Sequence, residues 1–299
     1  ALSGIAKDLN KMSAKASIKM LVTGEGSNPR LFKWIAILTG SKNALKGLGF
    51  FVGAALLELI SFRGALGVLS GSLLLILILS VVLLPHGLGK MKAKPKFSQV
   101  FSKSAEINWL SAARFFLFGS RDVWFVVALP VYLYSVFNWD FMWVGGFIAV
   151  WIIAYGFMQA SAPRLLRKSH HGQGPDGGTA QLWVFVLAAL PALIAIGLNL
   201  DISPQWVLIS GLLIYGLVFA INSAVHSYLV VAWSDNDKVA MNVGFYYMAN
   251  AAGRLVGTVL SGFAYQTMGL SGCLWISSAF LVAAWLLSMR LPRAGHPGR

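Results

Sequence analysis

Apolar residues occupy most of this chain in runs of about 20, each closed by a short polar or glycine-containing stretch. The runs lie near 34–59, 64–84, 107–137, 143–162, 181–199, 205–233, 241–266 and 271–290. A helix rises about 1.5 Å per residue, so runs of this length match a hydrocarbon core about 30 Å thick. Membrane strands would instead alternate over about ten residues. Inside hydrocarbon every backbone polar group needs an internal partner, which leaves only helices or closed barrels. The pattern therefore predicts an all-α polytopic membrane protein. A ninth segment, about 1–22, differs from the rest. Lys7, Lys11, Lys15 and Lys19 recur there every fourth residue, which keeps them near one helix face. Two placements fit it: a basic amphipathic helix on the membrane surface, or a span whose polar face is covered by other helices and water.

Charge in the connecting segments sets an orientation. The loop 85–106 carries Lys90, Lys92, Lys94, Lys96 and Lys103, the loop 163–180 carries Arg164, Arg167 and Lys168, and the tail carries Arg290, Arg293 and Arg299. The alternate connections, at 61–64, 138–140, 199–204 and 267–272, hold a single cation, Arg63. The excess of cations on alternate loops predicts that 23–33, 85–106, 163–180, 234–240 and the C-terminus are cytoplasmic. Nine spans ending in the cytoplasm put residue 1 outside, and three more upstream would make twelve, the number of a transporter built of two six-span halves. The expected organisation is then a remnant of an N-terminal half at 1–84 (helices 4–6), a basic cytoplasmic linker at 85–106, a C-terminal six-helix half at 107–290 and a cytoplasmic tail at 291–299. The basic, aromatic stretch 96–103 is expected to rest on anionic lipid.

Composition narrows the function class. The chain is 57% hydrophobic and 11% charged, against about 25% charged in soluble proteins. The net charge of +14 is spread over loops and spans and forms no soluble basic module, so no nucleic-acid partner is expected. The single cysteine, Cys273, lies in an apolar run and reads as a packed thiol. His170 and His171 have no acidic or cysteine partner at metal spacing. No phosphate-binding loop, nucleophile elbow or zinc-protease helix occurs, so no enzyme activity, cofactor or metal is expected.

Charges inside the spans are the main functional signal. One at the centre of a span costs about 2.5–3.5 kcal/mol on insertion scales and so marks a cavity or a partner. Lys7 and Lys11 in the first segment, Lys42 and Lys46 in the second, Arg114 and Arg121 in the fourth, and Arg254 in the eighth are the candidate anion-binding residues. Lys15 and Lys19 are assigned to the cytoplasmic end of the first segment as anchors. Asp8 and Asp122 are candidates for proton coupling, though each also has a neighbouring cation to balance. Gly49 and Gly53 beside the second-segment lysines leave room for a ligand or a close helix, and Ala249, Gly253, Gly257 and Ser261 form a packing ridge. Pro130 is expected to bend the fourth segment toward its outer end. His226 reads as an interior hydrogen-bonded group or a proton-handling one. Glu58 is a possible partner of Arg63.

GRLVGTVLSGFAY at 253–265 and the turn after it resemble the eleventh and twelfth helices of the major facilitator superfamily. The stretches 1–19, 31–51, 92–104 and 111–126 resemble the organoarsenical efflux permease (ArsJ-type) family of that superfamily, aligning residue 1 with the fourth of twelve helices. The resemblance implies a major-facilitator-like helical bundle in the bacterial inner membrane. It implies export of 1-arseno-3-phosphoglycerate for arsenate resistance, in functional partnership with the glyceraldehyde-3-phosphate dehydrogenase that makes this ester. The family supplies no site residues. The GQGPDGG stretch at 172–178 departs from the usual cytoplasmic motif of the superfamily. Two other readings stay open: a transporter of another organic anion or sugar phosphate, and an inactive membrane fragment.

Overall fold

The computed structural model describes residues 2–22, 24, 27–83, 104–166, 174–200, 203–235 and 238–293. The side chains of residues 2–9, 54, 57 and 58 lie outside that set, as do the linker cations Lys90–Lys103, Arg167, Lys168, His170, His171 and Arg299. The described residues form eight helices and no strand: α1 (Leu2–Leu21), α2 (Ser27–Leu83), α3 (Ala105–Phe125), α4 (Ala128–Ser135), α5 (Phe141–Leu166), α6 (Gly177–Gly197), α7 (Pro204–Ala232) and α8 (Val239–Ser288). Among them six stretches are long and apolar enough to cross a membrane: Leu59–Leu83, Ala105–Ser135, α5, α6, α7 and α8. The lysine-bearing α1 and the first part of α2 stand outside those six.

Local chemistry explains the breaks. Ser61 interrupts α2 with φ 68° and ψ 168°, at the short turn expected between 59 and 64. A residue with a β-carbon disfavours this positive-φ conformation by about 1–3 kcal/mol. Gly269 breaks α8 with φ 65° and ψ −167°, a conformation glycine adopts without that cost. The chain doubles back at this point, because Cys273 Sγ lies 3.8 Å from the Ser261 carbonyl twelve residues earlier. Pro130 has no N–H and its ring crowds the carbonyl four residues back, so α3 stops at Phe125 and α4 restarts at Ala128. The Ala128 N–H donates to Ser261 Oγ on α8 at 3.1 Å, which satisfies a donor at the break.

Small residues set the packing. On α8, Gly253 and Gly257 sit directly against the backbone of Phe115 and Gly119 on α3. The ridge expected from their spacing is therefore the α3–α8 contact. Between α2 and α5 the close approach is made by Gly40 and Gly47, not by Gly49 and Gly53. A β-carbon on Gly40 would come within 2.5 Å of the Gly156 carbonyl, whereas Gly49 and Gly53 face open space. Helices meet this closely where apolar side chains gain little by leaving lipid and backbone dispersion carries the contact.

Contacts at the helix ends place the cation-rich segments together. The Gly177 N–H donates to the Pro292 carbonyl at 2.9 Å, joining the start of α6 to the C-terminal segment. Arg290 lies over the ring of Trp109 at 5.7 Å, joining that segment to the start of α3. Lys19 at the end of α1 donates to the carbonyls of Val231 at 2.6 Å, Ala232 at 3.3 Å and Ser234, at the end of α7. These ends share one end of the bundle, as the loop charges predict.

Exposure is inverted relative to a protein in water. Leu73, Leu74, Leu75, Ile76 and Leu77 are all exposed, whereas Arg114, Asp122 and Gln159 are buried. An apolar exterior is stable where the solvent is lipid, and the few polar groups are then kept inside with the apolar core.

Candidate functional site

The centre of the bundle holds a hydrogen-bonded polar thread across five helices. Asn43 on α2 donates its amide to Gln159 Oε1 on α5 at 2.7 Å. Gln159 in turn donates to Ser223 Oγ on α7 at 3.2 Å. Arg114 on α3 donates to the same oxygen at 3.2 Å and, through Nε, to Asn250 Oδ1 on α8 at 3.0 Å. The guanidinium also stacks over Phe118, 3.6 Å from the ring centroid. Among the described residues its hydrogen-bond partners are neutral, so they solvate its positive charge without cancelling it.

Two turns further along α3 the arrangement differs. Asp122 is fully buried and receives two guanidiniums. Arg121 donates to Oδ1 at 2.7 Å from Nε and 2.5 Å from its terminal nitrogen. Arg254 on α8 donates to Oδ2 at 2.7 Å. Arg121 is further surrounded by the rings of Phe118, Phe125 and Phe219. The group carries two positive charges against one negative. The Arg254 side chain stays 43% exposed, so the excess charge faces open space.

A cavity of about 530 Å³ opens between α1 and α2 and is closed on one side by Tyr247 of α8. Lys11, Lys15 and Lys42 line it, with Asn10, Thr39 and Ser41 as neutral polar neighbours. Lys11 and Lys15 lie 5.4 and 5.1 Å from the Tyr247 ring centroid, within reach of its π face. Three lysines, two from α1 and one from α2, around a partly apolar cavity give it a positive potential, because low dielectric leaves their fields poorly screened.

The sequence candidates thus fall into groups. Lys11 and Lys42 share the cavity; Arg121 and Arg254 meet on Asp122; Arg114 is the hub of the thread. Lys46 is exposed and does not line the cavity. The side chains of Lys7 and Asp8 lie outside the described residues.

The two anchors assigned from spacing have other roles. Lys15 is buried on the cavity wall, because α7 and α8 cover its face of α1. Lys19 caps the C-terminus of α7, where unpaired carbonyls carry partial negative charge. Asn43, Gln159, Ser223 and Tyr247 were not singled out by spacing. Gln159 did carry a signal: it is the sole amide in an otherwise apolar span.

No family model matches the chain, and no curated protein matches it by sequence. Two solved structures share its fold. One is a bacterial homologue of the iron transporter ferroportin in an outward-facing state, with TM-score 0.68 and 15% identity, covering 90% of this chain and 65% of that one. The other is the human organic anion transporter MFSD10 (TETRAN), with TM-score 0.70 and 17% identity, covering 93% of this chain and 67% of that one. This chain therefore spans about two-thirds of their length. At these identities the likeness speaks to fold, and the fold is an all-α, major-facilitator-like membrane bundle.

Proposed function

We infer that the chain is part of a secondary transporter that moves an anionic organic solute across a membrane. The observation that carries this reading is the cavity lined by Lys11, Lys15 and Lys42, with further cations at Arg114, Arg121 and Arg254 deeper in the bundle. Cations at membrane depth are costly and are retained where they face a solute path. Transporters of this architecture hold their solute between two halves that rock about a central site. The thread from Asn43 to Asn250 ties α2 to α3, α5, α7 and α8 and would feel such a movement. The cation-rich end of the bundle is assigned to the cytoplasm and the protein to the bacterial inner membrane.

Within that class, the resemblance of 1–19, 31–51, 92–104 and 111–126 to organoarsenical efflux permeases favours 1-arseno-3-phosphoglycerate as the exported solute. The ester is multiply anionic with little apolar surface, which suits a lysine-lined cavity. The test is expression of the complete gene with its dehydrogenase in arsenate-sensitive cells. Protection that needs both genes supports the assignment. Absence of protection, with the protein present in the membrane, removes arsenic from the reading and leaves another organic anion or sugar phosphate as the solute.

A further inference from the structure

Lys15 is only 2% exposed, and among the described residues its side-chain nitrogen has no hydrogen-bond partner. Leaving a buried charge unpaired is among the costliest arrangements in a protein. It is not alone there. Among the described residues Ser111 Oγ and both ring nitrogens of His226 are also buried without partners, and Ser227 Oγ and Tyr246 Oη are buried beside each other with no further partner. Native interiors leave few polar groups in that state, so a cluster of them calls for an explanation, and an absent occupant is one.

These groups form a layer. Arg114 is held by Ser223 and Asn250. Ser111 lies one turn before Arg114 on α3, His226 and Ser227 one turn after Ser223 on α7, and Tyr246 one turn before Asn250 on α8. In each case the step leads toward the end of the bundle that Lys19 caps, so the four helices bring these side chains to one level. Lys15, one turn from Lys19 on α1, completes it. Distances agree: Lys15 Nζ lies 6.0 Å and the Arg114 guanidinium carbon 4.9 Å from the centroid of the same Tyr246 ring.

The charge of the layer selects the occupant. Arg114 is cationic, Lys15 is a base that a bound anion would hold protonated, and among the described residues neither is paired with a carboxylate. The hydroxyls and the imidazole can each donate a hydrogen bond. A metal ion or ammonium would be repelled by Arg114, and water alone would leave the guanidinium charge uncompensated. We propose that Lys15, Arg114, Ser111, His226, Ser227 and Tyr246 form an enclosed subsite for an oxyanion group such as a phosphoryl, at the inner wall of the lysine cavity. Donors arriving from four helices suit a group that presents several oxygens. Lys11 and Lys42 then serve the rest of the solute in the wider cavity. This deepens the anion-transport reading and rests on it.

The experiment is thermal stabilisation of the full chain in detergent by inorganic phosphate and by glycerol phosphate, with apparent affinities from the dependence of Tm on concentration. The wild-type protein is expected to be stabilised. Lys15→Met is expected to be more stable than wild type without the anion, because it removes a buried amine with no hydrogen-bond partner, yet to bind the anion about tenfold more weakly or worse. Lys15→Arg is expected to keep the response. A response to the ester beyond that to inorganic phosphate identifies the head of an organic solute; a response to inorganic phosphate alone identifies a free-ion site. Equal affinity in Lys15→Met and wild type overturns the subsite while leaving the cavity reading in place. No response in wild type overturns both. If Lys15→Met does not fold, Tyr246→Phe removes only a hydroxyl, and unchanged affinity in that variant overturns the subsite.

Discussion

Arg254 on α8 reaches Asp122 on α3 with Nε 2.7 Å from Oδ2, and Arg121 occupies the other carboxylate oxygen. One fully buried carboxylate thereby holds two helices together and balances half of the positive charge around it. Asp122 is then a structural counter-ion, and its lone pairs are already engaged by strong donors. Asp122→Asn keeps the shape and removes the charge, leaving two guanidiniums without a counter-ion. The expected loss is about 3–5 kcal/mol of stability, read from thermal unfolding in detergent. Arg254→Gln is expected to cost less, because its side chain is partly exposed. A stability unchanged in Asp122→Asn would show that the carboxylate does not carry the contact.

Gly156 on α5 packs against the backbone of Gly40 and Ala44 on α2, with no room for a β-carbon. Gly156→Val is therefore expected to separate the two helices and to lose about 1–3 kcal/mol of stability. Any transport activity is expected to fall with it, since the Asn43–Gln159 bond spans the same contact. Gly49→Ala is the control. It faces open space, so it is expected to be neutral or to stabilise by up to about 1 kcal/mol through helix propensity. Comparing melting temperatures of the two variants separates packing from propensity.

Lys19 donates to three carbonyls at the end of α7. Lys19→Met keeps the aliphatic stem and removes the donors. The expected cost is about 1–2 kcal/mol, from lost charge-assisted bonds at a helix C-terminus. Because the contact joins α1 to α7 at the cation-rich end, amide hydrogen exchange is expected to accelerate at the end of α7. Exchange that rises only within α1 would place the role of Lys19 in its own helix.

Much of the fold could be read from hydropathy. The runs expected at 64–84, 143–162, 181–199 and 205–233 correspond to the second part of α2, α5, α6 and α7 with modest shifts at their ends. The breaks at 61–64 and 267–272 were visible as short polar turns, and Pro130 announced the interruption of α3. Small-residue spacing found the Gly253–Gly257 ridge because both glycines fall on one helix face. The same logic failed at Gly49 and Gly53, since spacing tells which residues share a face but not what that face meets. Gly40 and Gly47 had equal claim, and only the position of α5 chose them.

Composition and periodicity alone determine that this chain is a helical membrane bundle with cations at its core. That follows because lipid admits few ways to satisfy a backbone and makes each buried charge costly enough to stand out in the sequence. The partners of those charges come from helices distant along the chain, and their pairing depends on how the helices cross. Tertiary structure alone separates Lys15, buried without a partner, from Lys19, spent on the carbonyls of α7, although both sit at the same spacing on one helix.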